Sequence, residues 1–322
     1  MKNDMINERI NILIASDINY ASYYGVMLTS LFLNNKESKF DIHLLADSTW
    51  SDKVSAKFEK LVDKYDSEFH VHIVDEKKME NLPTIGHINK ASYYNLCAPL
   101  LLPESINKII YLDGDMIING SIRPLWELDL QGKACAMVPN CTYFDQSYYD
   151  RLGYDNQYGY YNNGTTVYDL EWLRKNNFTT KALQYIEEKP ERSILMDQDV
   201  QNALLHDQIL KLPFKYNFQV TYLNGRRWNT YPNYFKEKVI NAAEHPVIIH
   251  YCDRLKPWQY QYYLMPYGKL WNKYRRMSLW KDCAIRKPRI NYVKHLLKRV
   301  LKHNSLVYAR NKEFIPESLR FS

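Results

Sequence analysis

The sequence predicts an α/β protein built on a mainly parallel, doubly wound sheet with helices on both faces. Three observations predict it. Short apolar, β-branched runs alternate with stretches of helical periodicity from residue 10 onward, the pattern of right-handed βαβ units. No Gly/Ser-rich linker or internal repeat interrupts residues 10–258, so a single domain is expected there. The strand-like run Lys108–Leu112 leads straight into Asp113-Gly114-Asp115, and sheets of this kind collect ligands at the carboxyl ends of their strands.

The elements follow in order. Residues 10–15 read as a strand ending at Ser16-Asp17, and the apolar periodicity of residues 23–33 reads as the helix after it. Phe40–Ala46 is a second strand. Ser51 is a plausible N-cap for the next helix, in which Val54, Phe58, Leu61 and Val62 recur at i, i+4, i+7 and i+8. Residues 68–74 make a third strand and Lys108–Leu112 the next. Further strands are expected at 134–138 and 165–168, helices at 179–188 and Asp197–Leu205, and a final strand at 247–250.

Composition bounds the function. With 322 residues, 46% apolar and 25% charged, the chain matches soluble globular usage, which excludes global disorder. No apolar run approaches the ~18 residues that span a bilayer, and residues 1–9 are too polar for a signal peptide. The five cysteines, Cys97, Cys135, Cys141, Cys252 and Cys283, contain no CxxC pair, so neither a disulfide framework nor a zinc site is expected, and a reducing cytoplasm is the natural compartment. Charge is uneven. Residues 254–322 hold 17 Lys and Arg against 3 Asp and Glu, which leaves 26 against 33 in the first 253. An acidic body with a basic end suggests that the end meets an anionic surface.

Four places can carry chemistry. Asp113 and Asp115 can turn both carboxylates to one cation, with Gly114 allowing close approach; the alternative is an Asp-rich turn. His250, at the end of the last apolar strand, can complete a metal site or be a packed, hydrogen-bonded core residue. Lys256, before Pro257, can be a mobile cation for a phosphate or a solvated lysine. The loop Ala15, Ser16, Asp17, Ile18, Asn19 and Tyr20 can cradle a nucleoside or be an ordinary strand-to-helix turn capped by Asp and Asn. There is no GxGxxG or GxxxxGK[ST].

Taken together, Ile14-Ala15-Ser16-Asp17-Ile18-Asn19-Tyr20, Tyr111-Leu112-Asp113-Gly114-Asp115, Tyr161-Asn162-Asn163-Gly164, Asp197-Gln198-Asp199, and His250-Tyr251-Cys252 with Lys256-Pro257-Trp258 resemble, in order and spacing, glycosyltransferase family 8. That family includes bacterial lipopolysaccharide galactosyl- and glucosyltransferases and the glycogenins. The resemblance covers residues 10–258. It implies a GT-A fold, a Rossmann-like mostly parallel sheet flanked by helices, here with a basic C-terminal helical extension. It also implies a UDP-sugar donor, a divalent cation, Mn2+ or Mg2+, and a retaining transfer of galactose or glucose to a glycan or glycolipid acceptor in lipopolysaccharide or surface-polysaccharide assembly.

By the same resemblance Asp113, Asp115 and His250 are expected as metal ligands. Ala15, Ser16, Asp17, Asn19, Tyr20 and Gly114 are expected at the nucleotide, with Tyr20 on the base and Lys256 on the diphosphate. Asn162, Asp197 and Gln198 are expected at the donor sugar. Gln198 would lie beneath the anomeric carbon, where an amide is a poor nucleophile, so front-face attack is expected, with Asp197 stabilising positive charge. Two positions depart from the family. Residues 87–96 resemble the family's helix that ends in a donor-touching arginine, but Asn95 occupies that place. Asp253 stands where a glycine is usual, next to Arg254. A catalytically inactive member that binds a nucleotide sugar or carbohydrate is therefore the rival reading.

We expect residues 1–258 to form the catalytic domain and 259–322 a basic, aromatic-rich extension. Within it Val293, Leu296, Leu297, Val300 and Leu301 form an apolar stripe, with Lys294, Lys298, Arg299 and Lys302 off it. With Trp271, Tyr274 and Trp280 upstream, this reads as an interfacial helix on an anionic leaflet, through residues 285–322, at the inner face of the plasma membrane; the alternative is a helix packed on the domain. Nothing resembles a nucleic-acid module. Tyr143, Tyr148, Tyr149, Tyr154, Tyr158, Tyr160 and Tyr161 crowd one segment, an acceptor platform or a lid of packing tyrosines.

Overall fold

The structure, a computed structural model, describes residues 8–75, 90–223, 225–252, 256–259 and 266–283. The first half alternates β1 (Ile10–Ser16), α1 (Ala21–Asn34), β2 (Phe40–Ala46), α2 (Asp52–Val62) and β3 (Glu68–Ile73). Then come β4 (Lys108–Leu112) and β5 (Met116–Ile118). The second half holds β6 (Cys135–Pro139), α3 (Gln146–Leu152), β7 (Tyr161–Asp169), α4 (Leu170–Lys175), α5 (Phe178–Glu188), α6 (Asp197–Leu205) and β8 (Ile209–Lys211). The chain continues through β9 (Phe218–Gln219), α7 (Asn233–Glu244), β10 (Ile248–His250) and α8 (Gly268–Met277).

Seven strands form one sheet in the order β3-β2-β1-β4-β7-β6-β8. β1 pairs in parallel with β2 from Ile10 opposite Phe40 to Ser16 opposite Ala46, and its run from Ile12 to Ala15 is apolar without a break because both faces are covered. Val26, Met27 and Leu31 of α1 pack one face, while Tyr93, Leu96 and Ile186 belong to the core on the other. Only β7 runs antiparallel to its neighbours, β4 and β6. This is the mostly parallel α/β sheet flanked by helices that the sequence predicts.

Some elements differ from expectation. The strand at 165–168 lies in the second half of a nine-residue strand; its first half is concealed by Asn162 and Asn163, polar side chains that are buried here. The strand at 247–250 lies in a separate three-stranded sheet, β5-β10-β9. Ser51 occupies the cap position of α2 but its side chain makes no cap hydrogen bond; the Val54 and Ser55 amides bond its carbonyl instead. The helix looked for at 87–96 is described from residue 90 as the 3-10 helix Lys90–Cys97.

The largest difference concerns the residues after 258. Trp271, Tyr274 and Trp280, read from sequence as partners of an interfacial helix, are buried in the same core as α1. A Cβ on Gly25 of α1 would lie 2.3 Å from Trp280 ring carbons, so glycine is what lets the indole lie on the helix. Truncating a buried tryptophan costs roughly 3–5 kcal/mol, ample reason for these rings to stay inside. The stripe from Val293 to Leu301 and the whole of 285–322 lie outside the described residues, as do Asp253 and Arg254. Among the described residues no helix is long and apolar enough to cross a membrane.

Candidate active site

The turn after β4 carries Asp113, Gly114 and Asp115. Asp113 donates its amide to the Gly164 carbonyl of β7 at 2.9 Å, and the Asp115 carbonyl accepts the Tyr251 amide at 2.9 Å. The acidic turn is thus clamped between the large sheet and the strand β10. Because β10 pairs antiparallel with β5, His250 lies opposite Met116, and its Nε2 comes 3.2 Å from Asp115 Oδ1 and 3.6 Å from Asp113 Oδ2. One ligand atom from each residue lies within 4.8 Å of the others. A Cβ at Gly164 would stand 2.5 Å from His250 Cε1 and 2.6 Å from Asp113 Oδ2, so the cluster closes only over a residue with no side chain.

Its electrostatics are those of crowded acids. Burial pushes the Asp113 carboxyl above its usual range, and the neighbouring Asp115 pushes it further. Asp115 is buried too, but the Lys256 ammonium and then His250 outweigh that and hold it well below the carboxylate range. Lys256 Nζ sits 2.6 Å from Asp115 Oδ2 and 3.0 Å from the Tyr251 carbonyl. It is ion-paired, not a solvated lysine. Trp258, two residues on, explains its delivery: its indole stacks on Tyr23 at 3.8 Å and meets the edge of Tyr20 at 5.6 Å.

The imidazole is oriented from behind. Nδ1 lies 2.9 Å from Asn217 Oδ1, and since that oxygen only accepts, Nδ1–H is the donor and Nε2 is turned to the carboxylates. Two carboxylates and an imidazole so placed form a hard, mixed O/N donor set that suits Mn2+ or Mg2+. We expect Gly164→Ala to leave the fold intact but drive Asp113 and His250 apart, lowering divalent-cation affinity by about 10–100-fold, as losing a supporting contact at a metal site does. Titration calorimetry checks this, and unchanged affinity overturns the packing argument.

From Asn217 a chain of side chains runs through the core. Asn217 Nδ2 donates to Asn162 Oδ1 at 2.7 Å, and Asn162 Nδ2 donates to Gln198 Oε1 at 2.8 Å. Gln198 Nε2 donates to the Tyr160 hydroxyl at 2.8 Å, and that hydroxyl donates to Asp199 Oδ1 at 2.7 Å. Asp199, fully buried, ends the chain in a two-pronged pair with Arg151 at 2.8 and 3.0 Å. The amide at 198 is therefore fixed in orientation: the Asp199 carboxylate only accepts, so the Tyr160 hydroxyl gives it its proton and accepts the Gln198 N–H.

Asp197 stands beside this chain. Its Oδ2 accepts from Asn95 Nδ2 at 2.6 Å and from Asn163 Nδ2. Burial, then the charge of Asp113, pushes the Asp197 carboxyl up to about 8, with the two amides pulling the other way. Asn95 turns to this carboxylate, and its own Oδ1 is buried with no partner among the described residues.

At the amino end, Ala15 and Ser16 are buried, and the Ser16 hydroxyl donates to the Asp17 carbonyl at 2.7 Å. Asp17 Oδ1 accepts the Tyr20 amide at 2.9 Å and Oδ2 accepts from Asn19 Nδ2 at 3.4 Å, so Asp17 closes the strand-to-helix turn, while Tyr20 holds the cap position of α1 with no side-chain cap bond. Tyr20 packs against Gly114, where a Cβ would lie 3.1 Å from its ring and 2.9 Å from Tyr24. In the tyrosine-rich segment Tyr149, Tyr160 and Tyr161 are buried and pack as core, while Tyr143, Tyr148 and Tyr154 are half-buried and Tyr158 is exposed; Tyr154 stacks on His206 at 4.7 Å.

Sequence reasoning missed Asn217 and Arg151, gave Asn163 no role, and named Tyr160 only as one of the crowded tyrosines, not as the partner of Gln198 and Asp199. Asn217 and Arg151 carry no spacing signal, because each is recruited from a different element.

Residues 11–262 match Glycosyl transferase family 8. The chain is 30% identical over 301 residues to a lipopolysaccharide 1,2-glucosyltransferase of Escherichia coli (strain K12), covering 92% of this chain and 87% of that one. It is 30% identical over 259 residues to General stress protein A of Bacillus subtilis (strain 168), covering 78% and 88%. Among solved structures, the galactosyltransferase LgtC in complex with donor and acceptor sugar analogs aligns with a TM-score of 0.75 at 20% identity, covering 84% of this chain and 96% of that one. The shared fold is GT-A.

Proposed function

The chain belongs to glycosyltransferase family 8, and on that premise we propose that it moves a hexose, galactose or glucose, from a UDP-sugar to a glycan acceptor with retention of configuration. The observation that carries this reading is the meeting of Asp113, Asp115 and His250 at the carboxyl end of β4, joined through Asn217 and Asn162 to a fixed Gln198. The names of the relatives support lipopolysaccharide or surface-polysaccharide assembly as the setting. The catalytic unit runs past residue 258, because α8 and Trp280 complete its core.

Asp113, Asp115 and His250 would hold Mn2+ or Mg2+, which when bound offsets the charge of the departing diphosphate as a Lewis acid. Ala15, Ser16, Asp17, Asn19, Tyr20 and Gly114 line the nucleotide end. Lys256, on the Asp115 side of the cluster, supplies a further positive charge to the diphosphate. Asn162 and Gln198 bind and orient the donor sugar. A glutamine clamped by its neighbours is a poor nucleophile, so the acceptor hydroxyl attacks from the leaving-group face, and the departing phosphate oxygen takes its proton. Asp197, when ionised, stabilises the positive charge that develops at the anomeric carbon.

The rival, an inactive sugar-binding member, is favoured by one observation: Asn95, standing where the family's donor-touching arginine is expected, gives its amide to Asp197 and brings no cation to the donor. Release of UDP from UDP-galactose and UDP-glucose, with Mn2+ and with EDTA, separates the two. Turnover that EDTA abolishes is the expected result. No turnover from any donor, combined with a melting temperature raised by nucleotide sugar, would establish the binding module instead.

A further inference from the structure

A groove of about 490 Å3 opens beyond the carboxyl end of β8, floored by the buried Phe214 and Ala242 and rimmed by Lys211, Lys215, Lys238 and His245. No carboxylate is among its lining residues. The three ammonium groups make no ion pair among the described residues; each lies near an aromatic ring instead, Lys211 over Tyr143 at 4.9 Å, Lys215 over Tyr216 at 5.0 Å and Lys238 over Tyr234 at 6.0 Å. Partial loss of water, and then the charge of Lys238, hold the Lys211 ammonium below the ordinary lysine value. Like charges gathered round an apolar floor, with no acid of the protein between them, are relieved by a bound anion.

Position says which anion. β8 is parallel to β6, and both run in the direction of β4, because β7 is antiparallel to β4 and to β6. Lys211, the last residue of β8, therefore faces the same end of the sheet as Asp113. In the strand order, β8 lies at the opposite edge from β1, β2 and β3, away from the loop that follows β1. The turn that forms the groove wall, Phe214–Asn217, carries Asn217 to His250.

We propose that the groove binds an anionic saccharide group, a phosphoryl or carboxyl substituent of the acceptor glycan. The acceptor assignment rests on the transfer reading above; the anion binding does not. The lysines take the charged substituent, above a floor in which Phe214 is packed against Tyr222 and Phe235.

The test is calorimetric titration of the full chain, with UDP and Mn2+ present, using glucose 6-phosphate, glucuronate and glucose. Glucose 6-phosphate should bind in the millimolar range, weaken with added salt, and bind at least tenfold more weakly to the Lys211→Gln/Lys238→Gln variant. Lys53→Gln/Lys60→Gln on α2, with the same change in net charge, should bind it as the parent does. Glucuronate binding equally well assigns the carboxyl source; no binding assigns the phosphoryl. Binding of glucose 6-phosphate no tighter than glucose, or equal loss in both double variants, overturns the groove. UDP release by the Lys53→Gln/Lys60→Gln variant should stay within twofold of the parent. If binding behaves as expected while no form of the protein releases UDP, the transfer reading fails and the groove stands.

Discussion

Asp115→Asn is expected to lower turnover about 1,000-fold, equivalent to roughly 4 kcal/mol of transition-state stabilisation, and to abolish Mn2+ uptake in a calorimeter. The side chain serves three partners at once. One oxygen faces His250 at 3.2 Å and the other faces Lys256 at 2.6 Å, while the same carboxylate is a ligand of the proposed cation. Asparagine keeps the shape and removes the charge. Removing a single preorganised electrostatic group from a site typically costs about 100–1,000-fold in rate, and the loss here includes the cation itself. The Lys256 ammonium would also lose its counter-charge in a poorly hydrated place. Turnover within tenfold of the parent, or unchanged Mn2+ heat, would remove Asp115 from the ligand set.

Arg151→Met is expected to have the largest effect on stability, about 3–5 kcal/mol, the usual consequence of leaving one member of a buried pair uncompensated. Asp199 is fully buried. Without the guanidinium its partners among the described residues are the Leu195 amide and the Tyr160 hydroxyl. In a chain of this length the loss corresponds to a fall in melting temperature of roughly 10 °C. Adding Asp199→Leu to the same variant should recover part of it, since replacing both partners by apolar groups is often neutral. A single variant that melts within 2 °C of the parent would mean that Asp199 finds another partner or a proton.

The fold was legible where burial is two-sided. β1, β2 and β4 are mostly apolar because helices cover both faces, and the termination of β4 in Asp113 shows where the sheet stops and the site begins. Legibility failed where polar side chains are buried. Asn162 and Asn163 made the first half of β7 look like a turn, although inside the structure their hydrogen-bonding groups are used by Gln198, Asp197 and Asn217. The small sheet was hidden because β5 and β9 are three and two residues long, too short for any periodicity. Trp271 and Trp280 were misleading for the opposite reason: aromatic rings among lysines suit a membrane interface by composition, but the lysines of α8 can reach water while the rings fill the core.

At the site, chemistry that depends on residue type was visible and chemistry that depends on orientation was not. Two aspartates and a histidine announce coordination wherever they stand. Asn217 and Tyr160 are an ordinary amide and an ordinary phenol until the fold sets one behind His250 and the other behind Gln198.

The absence of any side chain at 164 has a wider consequence. Two of the clustered groups, Asp113 and Asp115, hang from the turn that leaves the large sheet, while His250 belongs to the small one, and only the thickness of a peptide separates them. Such a joint has no slack. A slight tilt of the small sheet, arising anywhere along α7 or the Phe214–Asn217 turn, reaches the three groups as a change in their spacing, so the cluster acts as a gauge of how well the two sheets are aligned.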